Sequence, residues 1–179
     1  LSIAAGIPIS SLQSQLGGDA SIIRCMPNTP AMIGLGASAL YAPDSVDAAH
    51  RELAEQVTNA AGKTVWVARE DLLDAVTAVS GSGPAYFFAL IEAIAKAGKE
   101  LGLEEEVAMA LTVQTALGAA SLAAQAKEPV ATLRENVTSP GGTTARALQS
   151  LQANDFDAVV AEAVRQCAVR AKALGEEFG

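Results

Sequence analysis

The sequence of 179 residues contains little cysteine, histidine or positive charge. Its two cysteines, Cys25 and Cys167, are far apart, which argues against a disulfide framework and favours a reducing cytoplasmic compartment. The single histidine, His50, has the polar neighbours Arg51 and Glu52, so it predicts a surface helix position and no metal site. Twelve basic against 20 acidic residues leave a net charge of −8, which argues against nucleic acids and anionic membranes as partners.

Charged residues are also scarce, at 18%, while hydrophobic residues reach 50%, so the chain can bury a substantial core. Residues 107–126 carry no charge and form a run long enough to span a bilayer. Alanine, glycine, serine, threonine and two glutamines dilute this run, and three glutamates precede it. This composition predicts a buried, close-packed helix rather than a membrane span.

The hydrophobic pattern divides the chain into two parts. Residues 1–68 combine short strands, ending at 22–23 and 39–41, with an amphipathic helix over 45–61 after an Asp44 cap and a last strand at 64–67. This part predicts a remnant of an α/β domain. Residues 69–179 show only helical patterns, and we expect an all-α domain with helices at 71–80, 84–101, 104–126, 130–136, 142–153 and 156–175.

Two of these helices, 84–101 and 104–126, are apolar around much of their circumference. Six helices of this size offer too few partners to cover so much apolar surface, which favours a second copy of the chain interleaved with the first. A compact monomeric bundle is the alternative. Small residues would let the backbones approach closely: Ala116, Gly118, Ala119, Ala120 and Ser121.

A glycine pair precedes the predicted helix over 142–153. Pro140 ends the preceding segment, and Gly141 and Gly142 allow a tight turn. Thr143 and Thr144 then stand in the first helical turn, where free N–H groups and the helix dipole can hold a carboxylate or phosphate. The pattern predicts an anion site, although an ordinary cap and turn has the same sequence features.

Five segments in a fixed order resemble one enzyme family. They are SIAAGI at 2–7, IRCMPNTP at 23–30, GASA at 36–39, DLLDAVTAVSGSGPAY at 71–86 and TSPGGTT at 138–144. The chain resembles pyrroline-5-carboxylate reductase over almost its whole length. The resemblance implies a Rossmann-type NAD(P)-binding domain followed by an all-α dimerisation domain whose helices intertwine between two subunits, with further association of dimers. It also implies reduction of 1-pyrroline-5-carboxylate to L-proline, the last step of proline biosynthesis, by hydride transfer from NADPH or NADH.

The resemblance assigns roles to individual residues. The amides of Gly141, Gly142 and Thr143 suit the substrate carboxylate, and the Thr144 hydroxyl suits the imine or amine nitrogen as the catalytic group. A capping or solvent-facing threonine is the alternative for Thr144. Ser139 and Glu70 are further substrate-binding candidates, with a turn serine and a solvated glutamate as their alternatives. The cofactor-binding candidates are Ala4, Ala5, Gly6, Asn28 and Asn136, where Asn28 also suits a structural crossover and Asn136 a helix end.

One departure from the family pattern is large. The chain starts at Leu1, already inside the nucleotide-binding half, and contains no G-x-G-x-x-G, so we expect a C-terminal fragment that is inactive alone. Two other functions remain as alternatives, one enzymatic and one not. A related Rossmann-plus-helices oxidoreductase would use a catalytic lysine, and neither Lys96 nor Lys99 lies in a convincing motif. A non-catalytic helical dimerisation module is the other.

Overall fold

The computed structural model describes residues 1–18 and 20–178. The chain is mostly helical with one small sheet, and its contacts separate two compact units: Leu1–Ala85 with Glu162–Gly179, and Tyr86–Ala161. The domain limits 1–68 and 69–179 stay a prediction. The strands are β1 (Arg24–Met26), β2 (Gly36–Tyr41) and β3 (Gly62–Trp66). The α-helices are α1 (Ile9–Leu16), α2 (Ala48–Asn59), α3 (Leu72–Val76), α4 (Gly83–Glu100), α5 (Glu105–Gln125), α6 (Val130–Asn136), α7 (Thr143–Ala153) and α8 (Phe156–Phe178).

The three strands form one mixed sheet in the order β1-β2-β3. β1 and β2 are antiparallel, with Arg24 opposite Tyr41, whereas β2 and β3 are parallel, with Gly36 opposite Gly62. α2 makes the crossover between the two parallel strands. An isolated parallel bridge joins Ser2 to Arg24, so the start of the chain lies along the free edge of β1.

The core of this unit lies between the sheet and α2. Leu40 is completely buried, and Trp66 packs against the cluster that surrounds it. The buried members of the cluster are Ile23, Cys25, Leu40, Ala42, Val46 and Ala54. Burial raises the pKa of the Cys25 thiol, and both cysteines are free. The unit therefore has a core of its own.

The sequence patterns missed one element of this unit and misplaced the start of two others. α1 was not predicted, because its sequence ISSLQSQL contains few apolar residues. α2 begins after Asp47 rather than Asp44, since the Asp47 carboxylate accepts a hydrogen bond from the His50 amide at 2.8 Å. The first strand lies at Arg24–Met26, directly after the isoleucines at 22–23, which are buried.

The predicted helix over 71–80 is two elements in the structure. α3 continues into a π-helix, Thr77–Gly81, which we call the π-turn, and α4 then starts at Gly83. The other predicted helices agree with the observed bounds to within about three residues. His50 lies on the exposed surface of α2, as predicted.

The Tyr86–Ala161 unit is helical throughout, apart from its connecting loops. Only three of its residues are buried within this chain: Ala95, Ala108 and Thr112. α5 was predicted to be buried and close-packed, yet the single chain leaves most of it exposed. Among the described residues, two stretches, Leu72–Glu100 and Glu105–Gln125, are long and apolar enough to cross a membrane by length and composition alone. Helices that a protein partner covers meet the same criteria.

Candidate functional site

The loop between α6 and α7, together with the first turn of α7, contains most of the predicted substrate residues. Gly141 has a φ of 72°, a left-handed conformation that glycine adopts at little cost. The Gly142 amide donates to the Ser139 carbonyl at 3.0 Å and closes a turn directly before α7. The glycine pair therefore makes the tight turn that its sequence predicts.

The first turn of α7 presents free backbone donors. In the part of the chain that the structure describes, the amides of Thr143 and Thr144 have no acceptor, and no side chain caps the helix. The Gly142 amide, which was expected to bind the carboxylate, is instead occupied by Ser139. An anion here would meet the two threonine amides and the positive end of an 11-residue helix.

The side chains around these amides are accessible. Thr144 is half-buried and Thr143 is exposed, and within the described residues neither hydroxyl has a hydrogen-bond partner. Ser139 and Asn136 are exposed, Asn136 as the last residue of α6. A β-carbon at Gly142 would collide with the Ser139 hydroxyl. The loop thus places a free hydroxyl beside two free amides, which suits a small ligand with both an anionic and a polar group.

The predicted cofactor loop, Ala4 to Gly6, lies in the other unit. The Ser2 backbone pairs with Ile23 and Cys25, through N···O distances of 2.8 Å and 2.7 Å, and so anchors the loop to the sheet edge. Gly6 lies against Gly175 of α8, since a β-carbon at Gly6 would be 2.9 Å from the Gly175 nitrogen. The loop is therefore held on both sides by backbone contacts.

Asn28 uses both ends of its side-chain amide within the protein. Its Oδ1 accepts from the Ala37 amide at 2.8 Å, and its Nδ2 donates to the Ser80 carbonyl at 3.1 Å. These contacts favour the structural alternative for the side chain. The Asn28 backbone remains a candidate for lining a cofactor.

Glu70 also has partners within the same unit. Its Oε1 accepts from the Ile9 amide at 2.7 Å and from Arg24 Nη1 at 3.0 Å. Arg24 is 8% exposed, so Glu70 neutralises a nearly buried charge and caps the start of α1. A substrate contact by Glu70 stays a prediction.

Arg24 is the important residue that sequence reasoning missed. It stands between two buried isoleucines and the buried Cys25. A charged residue inside an apolar run that is expected to be buried needs a partner, and this signal points to an acidic residue elsewhere. The identity of that acid, 46 positions away, is not visible in the local pattern.

Two large cavities lie among the described residues, and no predicted site residue lines either of them. One, of about 430 Å³, is open and mainly apolar, and it is lined by β2, β3, α3 and the π-turn. The second, of about 720 Å³, lies between α6, α7 and the start of α8 and has lining residues of both charges. Within the described residues, no group of three or more His, Cys, Asp or Glu could hold a metal ion. The candidate site consequently depends on the loop before α7.

Together, these features define a protein with a small α/β unit and long helices whose apolar faces are open to association. The family described as pyrroline-5-carboxylate reductase dimerisation matches residues 70–174, more than half of the chain. The chain therefore belongs to the pyrroline-5-carboxylate reductase family.

Individual relatives agree with this assignment. The pyrroline-5-carboxylate reductase of Pseudomonas aeruginosa is 51% identical over 179 residues, which are 100% of this chain and 66% of that protein. Pyrroline-5-carboxylate reductase 1 of Bacillus subtilis is 37% identical over 178 residues, which are 99% of this chain and 60% of that protein. The chain thus spans just under two thirds of the length of such relatives.

Two solved structures have the same fold over nearly all of this chain. The pyrroline-5-carboxylate reductase of Coxiella burnetii superposes with a TM-score of 0.93 at 41% identity, covering 96% of this chain and 64% of that one. The pyrroline carboxylate reductase of Plasmodium falciparum, solved with NADP bound, superposes with a TM-score of 0.88 at 34% identity. That match covers 97% of this chain and 66% of that one.

Proposed function

We propose that this chain supplies the substrate-binding and dimerisation part of an enzyme that reduces 1-pyrroline-5-carboxylate to L-proline, the last step of proline biosynthesis. The observation that carries the proposal is the start of α7, where two free amides adjoin the free Thr144 hydroxyl. Family membership and the names of the relatives support the reaction. The proposal makes the protein a nicotinamide-dependent oxidoreductase.

The substrate has one group for each feature of the loop. Its carboxylate would accept from the Thr143 and Thr144 amides, while Gly141, Gly142 and Ser139 shape the turn that presents them. Its ring nitrogen would face the Thr144 hydroxyl, which can donate to or accept from it as the imine becomes an amine. The protein needs no nucleophile, since bound nicotinamide supplies the hydride.

NADPH or NADH would meet the chain through the Ala4, Ala5 and Gly6 loop, the Asn28 backbone and Asn136. Small side chains at residues 4–6 leave room for a flat ring to approach the backbone. No G-x-G-x-x-G occurs in the 179 residues, so these residues fit the nicotinamide side and not the phosphates. The NADP in the Plasmodium structure supports a nicotinamide coenzyme without fixing the preference.

We further propose that residues 1–68 are part of a Rossmann-type domain and that residues 69–179 form the helical domain. The parallel β2–β3 pair with its α2 crossover and the parallel bridge from Ser2 support this. Exposed apolar helices and the matched dimerisation family support a homodimer, and we also propose that dimers associate further. The two free cysteines favour the cytoplasm.

The direct test is oxidation of NADPH and NADH in the presence of pyrroline-5-carboxylate. We would compare the 179-residue chain with a version extended to the length of its relatives, and we expect turnover only in the longer protein. Thr144→Ala should lower kcat roughly 10-fold to 100-fold, the effect of removing one hydrogen bond to a charged or reacting group. Ser150→Ala, which removes an exposed hydroxyl from the same helix, is the matched control.

An unchanged rate in Thr144→Ala would remove this hydroxyl from the mechanism. Absence of turnover in both lengths, with self-association intact, would favour the non-catalytic dimerisation module, which the exposed face of α5 also supports.

A further inference from the structure

Asn28 connects four separate elements of the Leu1–Ala85 unit. It follows β1, precedes a 3₁₀ helix at Thr29–Ile33, and bonds through its side chain to β2 and to the π-turn. Its own backbone is extended, with φ −138° and ψ 167°. One side chain therefore determines where the segment from Met26 to Pro30 lies.

The Ser80 carbonyl needs a donor from outside its helix. In a continuous α-helix it would accept from the amide four residues later, but that residue is Pro84, which has no N–H. The π-turn reflects the same interruption, since the Ser82 amide reaches back five residues to the Thr77 carbonyl at 2.8 Å. Asn28 Nδ2 takes the place of the missing donor at 3.1 Å.

Met26 also lies against the π-turn. A β-carbon at Gly81 would lie 2.5 Å from the Met26 methyl carbon, so a larger residue there would require the Met26 side chain to move. The other end of the amide is also occupied, by the Ala37 N–H of β2 at 2.8 Å. The side-chain amide has a partner at both its oxygen and its nitrogen, so it is poorly placed to bind a cofactor directly.

We propose that Asn28 is a positioning residue, whose Nδ2 replaces the helical donor that Pro84 cannot supply and thereby fixes the Met26–Pro30 segment beside the nicotinamide. The location beside the nicotinamide rests on the proposed function. The hydrogen-bond replacement does not, and it can be measured without substrate or coenzyme.

Two substitutions test the replacement. Asn28→Ala removes the side-chain amide without adding a charge, while Pro84→Ala returns a backbone N–H to the Ser80 carbonyl. Both backgrounds lose the acceptor for the Ala37 amide, so we expect Asn28→Ala to lower the folding equilibrium constant roughly 10-fold more in the native sequence than beside Pro84→Ala. Urea unfolding of the four proteins measures this, and equal losses in both backgrounds would overturn the proposal.

A measurement on the unaltered protein tests the same hydrogen bond even if a variant does not fold. The side-chain N–H protons of Asn28 should exchange with solvent at least about 10-fold more slowly than those of the exposed Asn136, because one of them is bonded to a carbonyl. Exchange at the same rate for both residues would show that Asn28 Nδ2 does not hold a stable hydrogen bond to the Ser80 carbonyl, and would overturn the proposal.

The positioning role has a separate readout in the active, full-length enzyme. Asn28→Ala should raise the coenzyme KM about 10-fold with kcat within about twofold, and Pro84→Ala should restore much of the loss. A raised KM without rescue would mean direct contact with the coenzyme, and an unchanged KM would mean a purely structural role; either outcome overturns positioning. If the native enzyme oxidises no coenzyme, the proposed function and the positioning role both fail. The unfolding data still test whether Asn28 Nδ2 replaces the missing donor to the Ser80 carbonyl.

Discussion

The two compact units differ in how far they bury their apolar side chains. The Leu1–Ala85 unit, with the end of α8, buries a cluster around Leu40, which has no exposed surface. The Tyr86–Ala161 unit leaves Phe87, Leu117 and Leu122 more than half exposed. A sheet covered by a helix can close a core within one chain, whereas a helix that is apolar on all sides cannot. We propose that a protein partner, another copy of the chain, covers the second unit.

The comparison also separates two kinds of candidate site residue. Glu70 and Asn28 lie in the first unit and use their side chains in its internal contacts. Thr143 and Thr144 lie in the second unit, and their donors have no acceptor among the described residues. Residues with free groups are available to a ligand, and residues with satisfied groups hold the surroundings in place.

The largest expected effect is on association. Leu117 in α5 is 53% exposed in the single chain, and Leu117→Asp should raise the dimer dissociation constant about 1000-fold, because each dimer would bury two unpaired charges. Leu53→Asp is the matched control, since Leu53 is 58% exposed but lies in the other unit, on α2. Sedimentation should give monomers only for Leu117→Asp. Dimers in both variants would show that α5 is not the interface.

The next effect is on the core of the first unit. Leu40→Ala should lower the free energy of unfolding by about 2–5 kcal/mol, through lost burial and the cavity left behind. Leu53→Ala, at a residue 58% exposed on α2, should change it by less than about 0.5 kcal/mol. Chemical unfolding measured at several protein concentrations would test the contrast. A Leu40→Ala loss that varied with concentration would mean that this core also depends on the partner.

A smaller effect is expected at Glu70. Glu70→Ala leaves Arg24 and the Ile9 amide without their acceptor and should lower the free energy of unfolding by about 1–3 kcal/mol. The neighbouring Asp71→Ala breaks the exposed pair with Arg69 and should have little effect. Thermal unfolding of the two variants provides the comparison. Equal shifts would mean that the Arg24 pair adds nothing beyond a surface ion pair.

The smallest effect depends on pH. Burial raises the pKa of Asp74, although Arg24 and Lys172 partly oppose this, so the folded state holds the proton more tightly than the unfolded state does. The free energy of unfolding should therefore fall as pH rises from the ordinary value of 3.8 through the raised pKa. Asp74→Asn should raise Tm slightly at neutral pH and not at a pH below 3.8. Asp44→Asn, at an exposed aspartate, is the control, and a Tm gain that did not depend on pH would contradict this account.

Local sequence signals predicted the long helices well. Helix periodicity and the glycine and proline signals located α4 to α8 closely, since a helix is built from contacts between residues three and four positions apart. The same signals failed at α1, whose first amide is capped by Glu70 from 61 positions away. They also failed at the π-turn, where Asn28 and Met26 meet a chain segment about 50 residues further on. Contacts of this length leave no local pattern.

The sequence by itself determined the helical second part, the glycine turn before α7 and the family, because all three depend on residue types at short, fixed spacings. Only the tertiary structure decided which polar groups are free and which are satisfied. It pairs Arg24 with Glu70, closes the Gly142 amide onto Ser139, and leaves the Thr143 amide open. The physical reason is that a hydrogen bond depends on distances of about 3 Å between groups, and residues far apart in the chain reach these distances only when the chain folds.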